Sequence, residues 1–135
     1  MRLVVDTNIL FSFFNEKSKA RELSTLSSII LYSPDFAIRE LYKYRSDILK
    51  RFSLSDMQFS LIFKFLKTVV NFVKKDEYKD FLSKSKVISP DPDDVDFFAL
   101  ALKLNSDLWS NDKLLKKQSS VNVLSTKDLV KKLDK

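Results

Sequence analysis

The chain has 135 residues, 44% of them hydrophobic and twelve of them Phe, enough for one domain with a sizeable core. It has no Cys and no His, which excludes disulfides, thiolate or imidazole catalysis and zinc sites built on those residues. It has no Gly, which excludes glycine-rich phosphate loops and dinucleotide fingerprints, and its net charge of +6 favours a polyanionic partner.

Arg2 to Val5 reads as a short buried strand, with Asp6 standing where that strand should end. Ligands of open α/β sheets bind beyond the carboxyl ends of the strands, so an acid there is placed for chemistry. Thr7 and Asn8 open an apolar run, Ile9 to Phe14, with helical spacing. Residues 17–28 look like a polar amphipathic helix, and Ile29 to Tyr32 like a second strand. Ser33-Pro34 predicts a helix start, the serine capping and the proline in the first turn. That helix should run from Pro34 to about Lys50 with Ala37, Leu41, Tyr44 and Ile48 as its apolar stripe, and Glu40 at the border.

Ser55-Asp56 caps a second long helix, from Met57 to about Val70. Asn71 to Val73 is an ambiguous short strand, and Asp76 to about Lys86 reads as a helix. Ser89-Pro90-Asp91-Pro92 breaks the chain before Asp93 to Leu104, a helix apolar nearly all round and therefore buried. Asp94 shares a face with Phe97, Phe98 and Ala101 and should point inward. Asp96 lies over Leu100 and Lys103 and should be solvated or paired with that lysine. Asp107 to Ser110 gives another strand with Asp112 at its exit, followed by a helix from Lys113 to Gln118. Val121 to Leu124 is the last strand, and Ser125 or Thr126 caps a final basic helix over 127–133. Repeated βα units with connections too long for hairpins predict an α/β protein with a central parallel sheet, and no linker or repeat divides residues 1–135.

Val-Val-Asp-Thr-Asn at 4–8, Arg-Glu-Leu at 39–41, Asp94 ahead of Ala-Leu-Ala at 99–101, and Trp-Ser-Asn-Asp at 109–112 together resemble the four motif blocks of PIN-domain nucleases. The similarity runs in order over nearly the whole chain. It implies a three-layer α/β/α sandwich, with Asp6, Glu40, Asp94 and Asp112 as the catalytic, metal-binding acids and Asn8 and Ser110 supporting them. For the third acid, Asp91, Asp93 and Asp96 crowd the block and are the alternatives to Asp94. It further implies an RNA substrate, single-stranded or structured, Mg²⁺ or Mn²⁺ as cofactor, and for VapC-type members an antitoxin partner and a homodimer.

The residues support that chemistry. Hard cations prefer oxygen ligands and keep several waters, so carboxylates suffice without His. Arg39, Lys43 and Lys113, with Arg45, Lys50, Arg51, Lys116 and Lys117, are close enough in sequence to the acids to hold a phosphate backbone. Tyr32, Tyr42, Tyr44 and Trp109 could stack bases, although Trp109 and Tyr44 read better as core residues. Apolar positions on the second long helix (Phe59, Ile62, Phe63, Phe65, Leu66) would permit dimerisation. Phosphoacceptor receivers and haloacid-dehalogenase-type phosphatases need acids that this chain lacks. The competing reading is a PIN-like RNA-binding or assembly module without turnover, for which loss of acids would be the mark. No apolar run is long enough to span a membrane and no leader is visible, so the expected location is the cytoplasm.

Overall fold

Leu3, Val4 and Val5 have no exposed surface, because the strand they form lies in the middle of a sheet covered on both faces. The structure, a computed structural model, describes residues 1–134. Its elements run β1 (Arg2–Val5), α1 (Thr7–Ser12), α2 (Lys19–Ser24), β2 (Ile30–Pro34), α3 (Phe36–Lys43), α4 (Arg45–Arg51) and α5 (Asp56–Val69). Then follow β3 (Val70–Val73), α6 (Lys75–Tyr78), α7 (Leu82–Ile88), α8 (Val95–Leu104), β4 (Asp107–Trp109), β5 (Val123–Leu124) and α9 (Thr126–Leu133). The five strands are parallel in the order β3-β2-β1-β4-β5. Val4 pairs with Tyr32 on one side and Leu108 on the other.

Strand alternation sorts the side chains into two cores. Leu3, Val5, Leu31 and Trp109 point to the face packed by Ile9, Leu10, Phe13 and Phe14 of the first helical segment, Leu41 of α3, Phe59, Phe63 and Leu66 of α5, and Leu129 of α9. Val4, Leu108 and Val123 point to the opposite face, covered by α8 through Phe97, Phe98 and Ala101 and by Tyr78. The result is the expected three-layer α/β/α sandwich with a central parallel sheet. No helix is long and apolar enough to cross a membrane among the described residues.

Several boundaries differ from expectation, each for a local reason. Pro34 closes β2 instead of opening a helix, and the Ser33 hydroxyl donates across the sheet to the Val5 carbonyl at 2.9 Å rather than capping. The helix expected from Pro34 to Lys50 is two helices, broken at Tyr44, whose backbone (φ −99°, ψ 17°) is no longer helical. The expected helix over 76–86 is likewise divided by a 3-10 turn at Lys79–Phe81, and Lys113–Lys116 is a 3-10 turn rather than a helix to Gln118. Asn71 to Val73 is a strand, on the sheet edge beside β2. Two caps are as expected: Ser55 and Gln58 form a reciprocal capping box on α5, and Ser125 with Asp128 does the same on α9. With no glycine in the chain, Asn105 takes the left-handed conformation (φ 49°) that ends α8.

Candidate active site

The loop after β1 is fixed by hydrogen bonds, and they set Asp6. Its amide donates to the Trp109 carbonyl at 3.3 Å, tying the exits of the neighbouring strands β1 and β4. Its Oδ1 caps α1 by accepting from the Ile9 amide at 3.0 Å. The Ser110 hydroxyl lies beside this carboxylate and favours its charged form. Asp6 is only 4% exposed, and burial pushes its carboxyl above the usual range, with the charge of Asp112 adding to the effect.

Asp112 repeats the device at the exit of β4. Its Oδ1 caps the following 3-10 turn at the Leu114 amide (3.0 Å), while its own amide donates to Ser110 Oγ at 3.1 Å. Ser110, 1% exposed, thus bridges the two acids. Glu40 arrives from α3 and meets Thr7 Oγ1 in a long 3.4 Å contact. Asp94 ends the 3-10 turn Pro92–Asp94 and stands at the N-cap of α8 without making a side-chain cap bond, so its carboxylate is uncommitted. Burial first, then the charges of Asp6, Asp91, Asp112 and Asp93, push its carboxyl up to about 7.

These four acids line one cleft of about 580 Å³ at the carboxyl ends of the strands. Asn8 and Thr7 line it as well, and so do Asp91 and Asp93, making six acids where four were expected. Asp91 is largely occupied with its own turn, its Oδ1 accepting from the Asp93 amide at 2.9 Å. Asp96 lies outside the cleft lining: it is partly exposed and accepts a 2.6 Å hydrogen bond from the buried Tyr78 hydroxyl, so its partner is Tyr78 rather than Lys103.

The basic residues separate. Lys43 lines the cleft, whereas Arg39 and Lys113 are exposed outside its lining. Arg45 is paired with Asp56 at 2.6 Å, and Lys116 with Asp128. Trp109 is fully buried, its Nε1 donating to Thr126 Oγ1, as expected of a core residue. Tyr44 is not a core residue: the break between α3 and α4 leaves it 38% exposed on the cleft wall beside Phe11, Phe36 and Phe97. The apolar face expected to permit dimerisation is mostly internal, since Phe59, Phe63 and Leu66 are each under 5% exposed.

The donor set is all oxygen, which fits a hard divalent cation. Among the described residues no three acidic side chains are gathered tightly enough to enclose an ion by themselves.

A family model described as PIN domain matches residues 4–133. Among solved structures, that of VapBC2 from Rickettsia felis bound to a DNA fragment from their promoter superposes with a TM-score of 0.65 at 15% identity. The match covers 93% of this chain and 98% of that one, and it is a likeness of fold. No curated protein matches the chain.

Proposed function

The chain belongs to the PIN domain family, and from that premise we propose that it is a metal-dependent endoribonuclease, its residues 1–135 acting as one domain. The observation that carries the reading is the convergence of Asp6, Glu40, Asp94 and Asp112, from four separate stretches of sequence, on one cleft at the carboxyl end of the sheet. Carboxyls held above their usual range by burial first and then by one another's charge are poised to give up protons to a cation.

In this reading Asp6 and Asp94 hold Mg²⁺ or Mn²⁺ directly, and Asp112 does so directly or through water. The ion would supply a bound water of lowered pKa and offset charge on the phosphate. Glu40, which meets Thr7 next to Asp6, would orient the attacking water. Ser110 and Asn8 keep the first acid in place, the serine through its hydroxyl and the asparagine through its amide. Lys43 contacts a phosphate inside the cleft, with Arg39 and Lys113 reaching flanking phosphates from outside it. The fold likeness to VapBC2 supports a partner antitoxin protein and a toxin–antitoxin role for this chain.

The test is cleavage of a labelled single-stranded RNA with Mn²⁺, Mg²⁺ or EDTA, beside the Asp6→Asn protein. Cutting that needs the metal and disappears in the variant is the expected result. Binding without cutting by the native protein, on single-stranded and structured RNAs alike, would favour the module without turnover.

A further inference from the structure

Tyr44 sits where its sequence pattern does not put it. In an unbroken helix it would extend the stripe of Ala37, Leu41 and Ile48 into the core; the break at Tyr44 turns it out onto the wall of the carboxylate cleft. Its ring is held there edge-to-face against Phe11, with centroids 5.8 Å apart and planes at 80°. Lys43 Nζ lies 5.4 Å from the same ring centre and lines the same cleft. Tyr42 makes the contrast. At 53% exposed it is the more open of the two, yet its ring packs on Phe63 with centroids 4.6 Å apart and lies outside the cleft lining.

We propose that Tyr44, braced by Phe11, is a stacking platform for an unpaired nucleobase beside the carboxylates, with Lys43 meeting a phosphate next to that base. The proposal rests on the nuclease reading of the same cleft and deepens it by naming the side chains that would hold a base and its phosphate beside the acids. A half-exposed aromatic ring fixed against a second ring offers a π-face without needing to be ordered first. An exposed lysine ammonium over a ring is a weak contact, and base stacking is stronger, so an entering base displaces the ammonium toward its own phosphate. Bases inside a duplex are stacked on each other and have no free face to offer. The platform therefore discriminates by pairing state and tolerates any base identity.

The experiment uses single-stranded RNA carrying 2-aminopurine, in Mg²⁺, on the Asp6→Asn background so that the strand survives. Stacking on Tyr44 quenches the fluorophore. Tyr44→Phe should bind and quench like the parent. Tyr44→Leu, which keeps an apolar contact to Phe11, should lose the quench and bind about tenfold or more weakly. Tyr42→Leu should leave both unchanged, and a duplex of the same sequence should show no dependence on Tyr44. Native-like binding and quenching by Tyr44→Leu, or no binding of the single strand by the parent, overturns the proposal. The two readings separate cleanly. Quenching that depends on Tyr44 in a chain whose native form never cuts RNA keeps the platform and removes the nuclease. Native cutting, with unchanged KM in the Tyr44 variants, does the reverse.

Discussion

Asp6 is an ionisable side chain almost wholly withdrawn from water, held by the Ile9 amide and the Ser110 hydroxyl. Asn keeps an acceptor oxygen for the helix cap and removes the buried charge, so Asp6→Asn should melt higher than the parent in EDTA at neutral pH. Asp6→Ala should melt lower, losing a cap worth about 1 kcal/mol. Millimolar Mn²⁺ should raise the parent's melting temperature by several degrees and the Asn variant's by little; equal shifts would place the ion elsewhere. Asp94 gives the pH dependence. Its carboxyl is raised to about 7 in the folded chain against 3.8 unfolded, so the folded state binds the proton more tightly. Its contribution is complete below about pH 4 and is lost as pH rises through 7, making the metal-free protein less stable toward neutrality. With the group partly exposed, solvent screening holds that loss to about 1–2 kcal/mol. Denaturant titrations at pH 5 and 8 should show the fall in the parent and a flatter profile in Asp94→Asn. At this scale the sequence was readable where an acid ends a strand, as at Asp6 and Asp112. Asp91 and Asp93, which the sequence offered only as alternatives to Asp94, line the cleft together with it, because the 3-10 turn Pro92–Asp94 and its cap have no periodic signature that would rank them.

Helices were legible as apolar stripes, and their interruptions were not. Nothing in the stripe of Ala37, Leu41, Tyr44 and Ile48 marks the break at Tyr44, since periodicity persists across a change of axis. The expected pairing of Asp96 with Lys103 failed for a related reason. Helical spacing reports neighbours on the same helix, and the partner that Asp96 takes, Tyr78, comes from α6 across the layer. That bond pins the N-terminal turn of α8, the element whose start carries Asp94. Tyr78→Phe should therefore cost about 1–3 kcal/mol by leaving a half-buried carboxylate without its donor. Chemical denaturation reads that cost, and a double variant with Asp96→Ala should restore part of it, the coupling expected of a direct pair.

At the scale of the molecule, alternating βα units were enough to indicate a parallel sheet with helices on both faces, because parallel neighbours require a crossover. Strand order was not readable, since each short apolar strand fits any slot of a sheet buried on both sides. The order found places β1 between β2 and β4, so the first strand to be made is completed only by one of the last. Asp6 and Ser110, the first acid and the hydroxyl that holds it, are more than one hundred residues apart. During synthesis β1 has an open edge until residues 107–109 have been made, and Asp112, the last acid of the cleft, follows them. Until then the set of acids is incomplete, and Asp6 lacks the neighbouring strand whose Trp109 carbonyl fixes its amide.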